Sequence, residues 1–273
     1  MIQVYSIPYP TTIDKEDFAG LFFDIDNEGI EEKEATLDIY LNDAQQISSI
    51  EQINEICATY QLSYTVSTLE NKNWNAQWES SFQPILMDDF VYVRATFHPQ
   101  TKLTQHEIII EPKMSFGTGH HATTAQMMQN MRSIHFENKT VLDCGSGTGI
   151  LAILAEKLGA KNCIALDYDE WCYTNCLENI QLNNCTKIEA VHGEIAQYKS
   201  QKFDIILANI HRNYLVDTME TLSNCLADDG YLLISGFYES DSAILLNKAL
   251  EYNLIANYHT TQNNWSCIIL QKK

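Results

Sequence analysis

Two carboxylates and three glycines stand at spacings that could hold a small cationic ligand. The run VLDCGSGTGILAI, residues 141–153, places Asp143 just before Gly145, Gly147 and Gly149. A strand-like stretch leads into the turn and a helix-like stretch leaves it. The glycines allow a sharp bend and close backbone approach. A dinucleotide turn of the form G-x-G-x-x-G needs its third glycine at position 150, where Ile150 stands, and the Gly-Lys-Ser/Thr ending of a phosphate loop is missing. A carboxylate at the strand tip repels a diphosphate and attracts a cation. S-adenosylmethionine, with a sulfonium and an ammonium group and no phosphate, suits that chemistry.

The next strand tips extend the same pocket. Asp167 closes NCIALD, 24 residues after Asp143, and is the expected acceptor for ribose hydroxyls. Asp169 is expected to cap the following helix. Glu194 and the backbone of Ile195, in VHGEIA, are candidates for the adenine edge. Asn209 ends FDIILAN, where its carbonyl either accepts from a nucleophilic nitrogen or holds the amino-acid part of the cofactor. The chain continues Ile210-His211-Arg212, without the Pro-Pro-aromatic stretch of enzymes that methylate nucleic acid bases. His120 and His121 are adjacent and cannot face one metal from a strand or helix, so no metal is expected and His121 should fix the loop backbone. Trp265 is either core packing or an aromatic wall near the acceptor.

These residues need a sheet to bring them together. From residue 122 strands and helices alternate, which implies an α/β domain with a parallel sheet covered on both faces. The last two strands, LIANYHTT and WSCIILQ, have no helix between them and should form an antiparallel hairpin. The expected catalytic domain is Rossmann-like and spans 81–273. Residues 1–69 read β-α-β-β-α-β, a small α+β domain of the ferredoxin-like type. Within it, Ile47, Ile50, Ile53, Cys57 and Tyr60 recur at helical spacing, and Asp14 or Thr12 is placed to cap the first helix. Residues 70–80 are expected to be linker and entry helix, with Trp74 and Trp78 one turn apart.

Composition narrows the partners. The net charge is −19, and residues 1–70 hold fourteen acidic side chains against Lys15 and Lys33. Such a field repels nucleic acid and suits a basic partner. Eight cysteines form no C-x-x-C pair and read as free thiols. No signal-peptide pattern opens the chain and no apolar run reaches the ~20 residues of a membrane span, so the expected location is the cytoplasm.

One further segment, MSFGTGHHATT at 114–124, resembles the signature of the PrmA family of ribosomal-protein methyltransferases. The likeness continues through WNAQWESSFQPI, LDCGSGTGILAI, ALDYD, ANI and NNWSCIIL. The resemblance implies S-adenosylmethionine contacts at Thr124, Gly145, Asp167 and Asn209, with Phe116, Gly117 and Thr118 over its methionine end. It implies methylation of lysine side chains and the N-terminal amine of the large-subunit protein of the stalk base. It also implies that the first domain recognises this basic protein. The bulkier His211 and Arg212 depart from the family pattern beside the acceptor channel. The competing readings are a methyltransferase for another protein or a small molecule, a nicotinamide oxidoreductase, which Ile150 disfavours, and a non-catalytic binding module.

Overall fold

The computed structural model describes residues 2–69, 82–101, 103–113 and 115–273. The chain divides into two compact units, Met1–Ser81 and Phe82–Lys273. The expected linker and its Trp74–Trp78 helical turn lie outside the described residues.

The first unit contains β1 (Ile2–Pro8), α1 (Lys15–Gly20), β2 (Gly29–Glu32), β3 (Thr36–Asn42), α2 (Gln46–Thr59) and β4 (Thr65–Leu69). Its sheet runs β2-β3-β1-β4 with antiparallel neighbours throughout, which is the ferredoxin-like arrangement. Alternation sends Leu37, Ile39 and Leu41 of β3 into a core with Phe18, Phe22 and Ile53. Cys57 is buried and Ile50 and Tyr60 pack against that core, as the helical spacing predicts. The side chain of Ile47 lies outside the described residues.

The first helix is shorter than its apolar pattern suggests. It ends at Gly20, and Phe22 and Ile25 reach the core through tight turns closed by Phe22 N–H to Ala19 O (3.0 Å) and Ile25 N–H to Phe22 O (3.1 Å). Gly20, Asp24, Asp26 and Asn27 are weak helix formers, so burial of the aromatics proceeds without helix. Asp14 occupies the cap position, but its side chain makes no capping bond.

The second unit opens with a three-stranded sheet, β5 (Ile85–Met87), β6 (Val91–Arg94) and β7 (His106–Ile109), in that order. Ile85 opens the first of these strands. Then follow α3 (Ala122–Met131), β8 (Thr140–Cys144), α4 (Ile150–Lys157), β9 (Asn162–Asp167), α5 (Glu170–Leu182), β10 (Ile188–His192) and β11 (Phe203–Asn209). The chain closes with α6 (Arg212–Cys225), β12 (Leu226–Tyr238), α7 (Ser242–Leu250), β13 (Leu254–Gln262) and β14 (Trp265–Lys272).

The main sheet has the order β10-β9-β8-β11-β12-β14-β13. Strands β8 to β12 are parallel, and β14 runs antiparallel between β12 and β13. This is the expected Rossmann-like sheet with its terminal hairpin. Strands covered on both faces need apolar residues on both, and Leu142, Ile206 and Ile234 face one core while Val141, Ile205 and Leu233 face the other. No helix among the described residues is long and apolar enough to cross a membrane.

Candidate active site

Strand order reverses between β8 and β11, and open α/β sheets bind ligands beyond the carboxyl ends of the strands at such a point. A cavity of about 400 Å³ lies there. Cys144 at the end of β8 with Gly145 after it, Asp167 at the end of β9, and Asn209 at the end of β11 line it. Gly193 and Ile195, beyond β10, form another part of the wall.

Asp167 is nearly buried, and both of its oxygens are engaged. Oδ2 accepts from Gly147 N–H (2.8 Å) and Oδ1 from Asp169 N–H (3.0 Å). A carboxylate offers about four acceptor sites, so capacity remains for a ligand hydroxyl. Asp169 caps α5 as expected, accepting from Trp171 N–H (2.7 Å) and Cys172 N–H (3.3 Å).

The glycine turn is crossed by a second loop. Phe116 O accepts from Thr148 N–H (3.0 Å) and Gly117 O from the Thr148 hydroxyl (2.6 Å). Gly147 has φ +52°, and a Cβ there would stand 2.3 Å from Phe116 O. Its missing side chain therefore makes room for the neighbouring loop. Gly147→Ala is expected to cost about 2–4 kcal/mol, from left-handed backbone plus overpacking. Thermal unfolding checks this, and an unchanged midpoint would contradict it.

Asp143 sits behind the cavity wall. It is buried, Oδ2 accepts from Ala152 N–H (3.1 Å), and Oδ1 has no hydrogen-bond partner. Burial pushes its carboxyl up to about 7, the Ala152 N–H opposes this, and the Asp167 charge adds to it. Between the ordinary carboxylate value of ~3.9 and about 7, the folded chain keeps a proton that the unfolded chain releases. Its contribution to stability is therefore full below that ordinary value and is lost as pH rises through about 7. Asp143→Asn, neutral throughout, should gain thermal stability relative to the parent as pH rises from about 4 to about 7. Parallel pH profiles of the two melting midpoints would contradict this assignment.

Asn209 donates from Nδ2 to the buried Thr124 Oγ1 (3.2 Å), and its own buried Oδ1 has no partner. Both residues line the cavity. Around them stands an aromatic group. The ring of His121 lies 5.3 Å from Phe116 and 4.8 Å from Trp265, and Trp265 lies 4.2 Å from Tyr238. His121 caps α3, its Nδ1 accepting from Thr123 N–H (3.4 Å). In the neutral ring its proton then sits on Nε2.

Comparison with known proteins decides the family. Residues 10–273 match the family described as ribosomal protein L11 methyltransferase (PrmA). The chain is 36% identical over 246 residues to the ribosomal protein L11 methyltransferase of Bacteroides fragilis, covering 88% of each. It is 44% identical over 198 residues to that of Porphyromonas gingivalis, covering 72% of this chain and 68% of the relative. Among solved structures, ribosomal protein L11 methylase from Lactobacillus delbrueckii subsp. bulgaricus superposes with a TM-score of 0.65 at 27% identity, covering 70% of this chain and all of that one. The chain belongs to the ribosomal protein L11 methyltransferase family.

The cofactor of this family is S-adenosylmethionine, and the site fits it. The cavity lies at the switch point, Asp167 retains acceptor capacity, and the orphaned carbonyl of Asn209 lies beside the glycine turn. Phe116, Gly117, Thr124, Gly145, Gly147, Asp167 and Asn209 come together around the cavity. Three expected residues do not line it. Thr118 turns its hydroxyl to His120 Nδ1 (3.2 Å), Glu194 is exposed, and Asp143 braces the start of α4 from behind. His211 lines the cavity and caps α6 by accepting from Tyr214 N–H (3.3 Å), while Arg212 pairs with Asp241 (2.9 Å).

Sequence reasoning missed a brace on this PrmA-family site. Fully buried Asn179 accepts from Glu111 N–H (2.8 Å) and donates to Thr148 O (2.9 Å), tying the glycine turn to the residues after β7. Asn175 and Asn179 of α5 and Asn183 at its C-terminal cap recur every four residues, and polar residues repeating at that spacing along one helix face were the available signal.

Proposed function

We propose that this chain methylates amines of ribosomal protein L11, the stalk-base protein, on lysine side chains and the N-terminal amine. The observation that carries the amine reading is the buried, unpartnered Asn209 Oδ1 beside an aromatic mouth. The bound cofactor supplies a methyl group on a sulfonium, which leaves as a neutral thioether and needs no acid.

The residues then have three tasks. Asp167 holds the ribose, and the 115–118 loop with the glycine turn shapes the methionine end. Phe116 and Trp265, the latter backed by Tyr238, give the entering side chain apolar surface, which lowers a lysine pKa from its reference ~10.4 and favours the attacking neutral amine. Asn209 accepts an amine N–H, aims the lone pair and offsets the positive charge that grows on nitrogen. His121, with Nδ1 occupied, offers no free basic nitrogen in its neutral form. The proton therefore leaves to water before each transfer.

The acidic first unit is the docking element for the basic substrate. Its core is separate from the two cores of the second unit. The net charge disfavours direct contact with nucleic acid. The reaction belongs in the cytoplasm, where ribosomal proteins are made.

Incubation with S-adenosylmethionine and purified L11 tests the reading by intact and peptide mass. Mass gains in methyl steps, mapped to lysines and the N-terminus, are expected. Unmodified L11 alongside intact binding of S-adenosylhomocysteine would overturn it. Removal of residues 1–69 should leave cofactor affinity in place and lower L11 methylation by at least about tenfold, because the local concentration of docked substrate is lost.

A further inference from the structure

We propose that Tyr214 is a cofactor-binding residue whose hydroxyl donates a hydrogen bond to the ribose, beside Asp167. The inference rests on the cofactor reading above. Tyr214 lies in the first turn of α6 and lines the same cavity as Asp167, Gly193 and Ile195. Its backbone is fixed by the bond to His211 Nδ1 (3.3 Å), and the two rings meet edge to face at 6.1 Å. The ring packs on the core that holds Cys144, Leu166 and Ile195.

The adenosine end is rich in acceptors. Asp167 is acceptor-only when ionised, and its oxygens already take two backbone N–H groups. A ribose hydroxyl that donates to Asp167 keeps lone pairs that need a donor. Tyr168 lines the cavity but is 73% exposed, and the Cys172 thiol is a weak donor. Tyr214 is the partly buried phenol at this place. Burial, with the nearby Cys144, Glu194 and Asp167, pushes its hydroxyl up to about 12, so it stays protonated wherever the amine chemistry runs.

The test is calorimetry of the full-length chain and Tyr214→Phe with two ligands. S-adenosylhomocysteine carries the whole product, and 5′-methylthioadenosine carries the adenosine half without the amino acid. Tyr214→Phe should weaken both by about five- to tenfold, the range for one neutral hydrogen bond. Its melting midpoint serves as the check on folding, and Tyr214→Ala, which removes the ring as well, should weaken both ligands further. Affinities of Tyr214→Phe within twofold of the parent for both ligands would overturn the proposal. So would a loss confined to S-adenosylhomocysteine, which would put Tyr214 at the methionine end. A parent that binds neither ligand would instead defeat the cofactor reading itself.

Discussion

Asn209→Ala is expected to lower the turnover of methyl transfer by about 10²–10³, with cofactor affinity changed less than about tenfold. The asymmetry follows from where the side chain spends its interactions. Nδ2 is committed to Thr124 Oγ1, and Oδ1 is buried without a partner. An oxygen that meets an amine N–H interacts most strongly when positive charge has built up on the nitrogen. That makes it worth more in the transition state than in the bound ground state. Truncation therefore falls on kcat. Single-turnover rates with L11, set beside calorimetric affinity for S-adenosylhomocysteine, separate the two quantities. A loss of affinity with unchanged turnover would assign Asn209 to the amino-acid end of the cofactor.

Asp167→Ala should act on the other quantity, weakening S-adenosylhomocysteine by about 30- to 1,000-fold, or roughly 2–4 kcal/mol. Two losses combine. The ribose loses a charge-assisted acceptor, and Gly147 N–H loses the oxygen that holds it at 2.8 Å. The turn that shapes the methionine end then relaxes. At saturating cofactor, the methylation rate should recover most of its parent value, since Asp167 lies away from the reacting nitrogen. An affinity within threefold of the parent, in a variant that melts normally, would remove Asp167 from the site.

Much of this architecture was readable from the residues. The β-α-β-β-α-β order of the first unit, the parallel sheet and the terminal hairpin each follow from periodicity, because period 2 and period 3.6 leave distinct apolar patterns. The strand tips Asp167 and Asn209 were found from spacing along one repeated unit. What escaped depends on contacts between distant segments. The glycine at 147 is read from sequence as room for a ligand, yet the approaching group is Phe116 O. Asp143 reads as a wall carboxylate, yet its side chain turns back to Ala152 N–H. Glu194 is at the expected position along the chain, but its side chain points to solvent while Gly193 and Ile195 form the wall. Trp265 could have been core or wall, and only the meeting of β14 with the 115–121 loop makes it both. Asn179 carried only the four-residue repeat of asparagines along its helix, and Tyr214 carried no local motif. Which face of a helix meets a turn from another part of the chain is a tertiary fact.

The pocket suits a positively charged methyl donor and not a diphosphate. Paired calorimetric titrations of the full-length chain with S-adenosylhomocysteine and with NADH test it most directly. A saturable one-to-one isotherm is expected for S-adenosylhomocysteine, with no heat above dilution for NADH. Saturable binding of NADH with none for S-adenosylhomocysteine would contradict it.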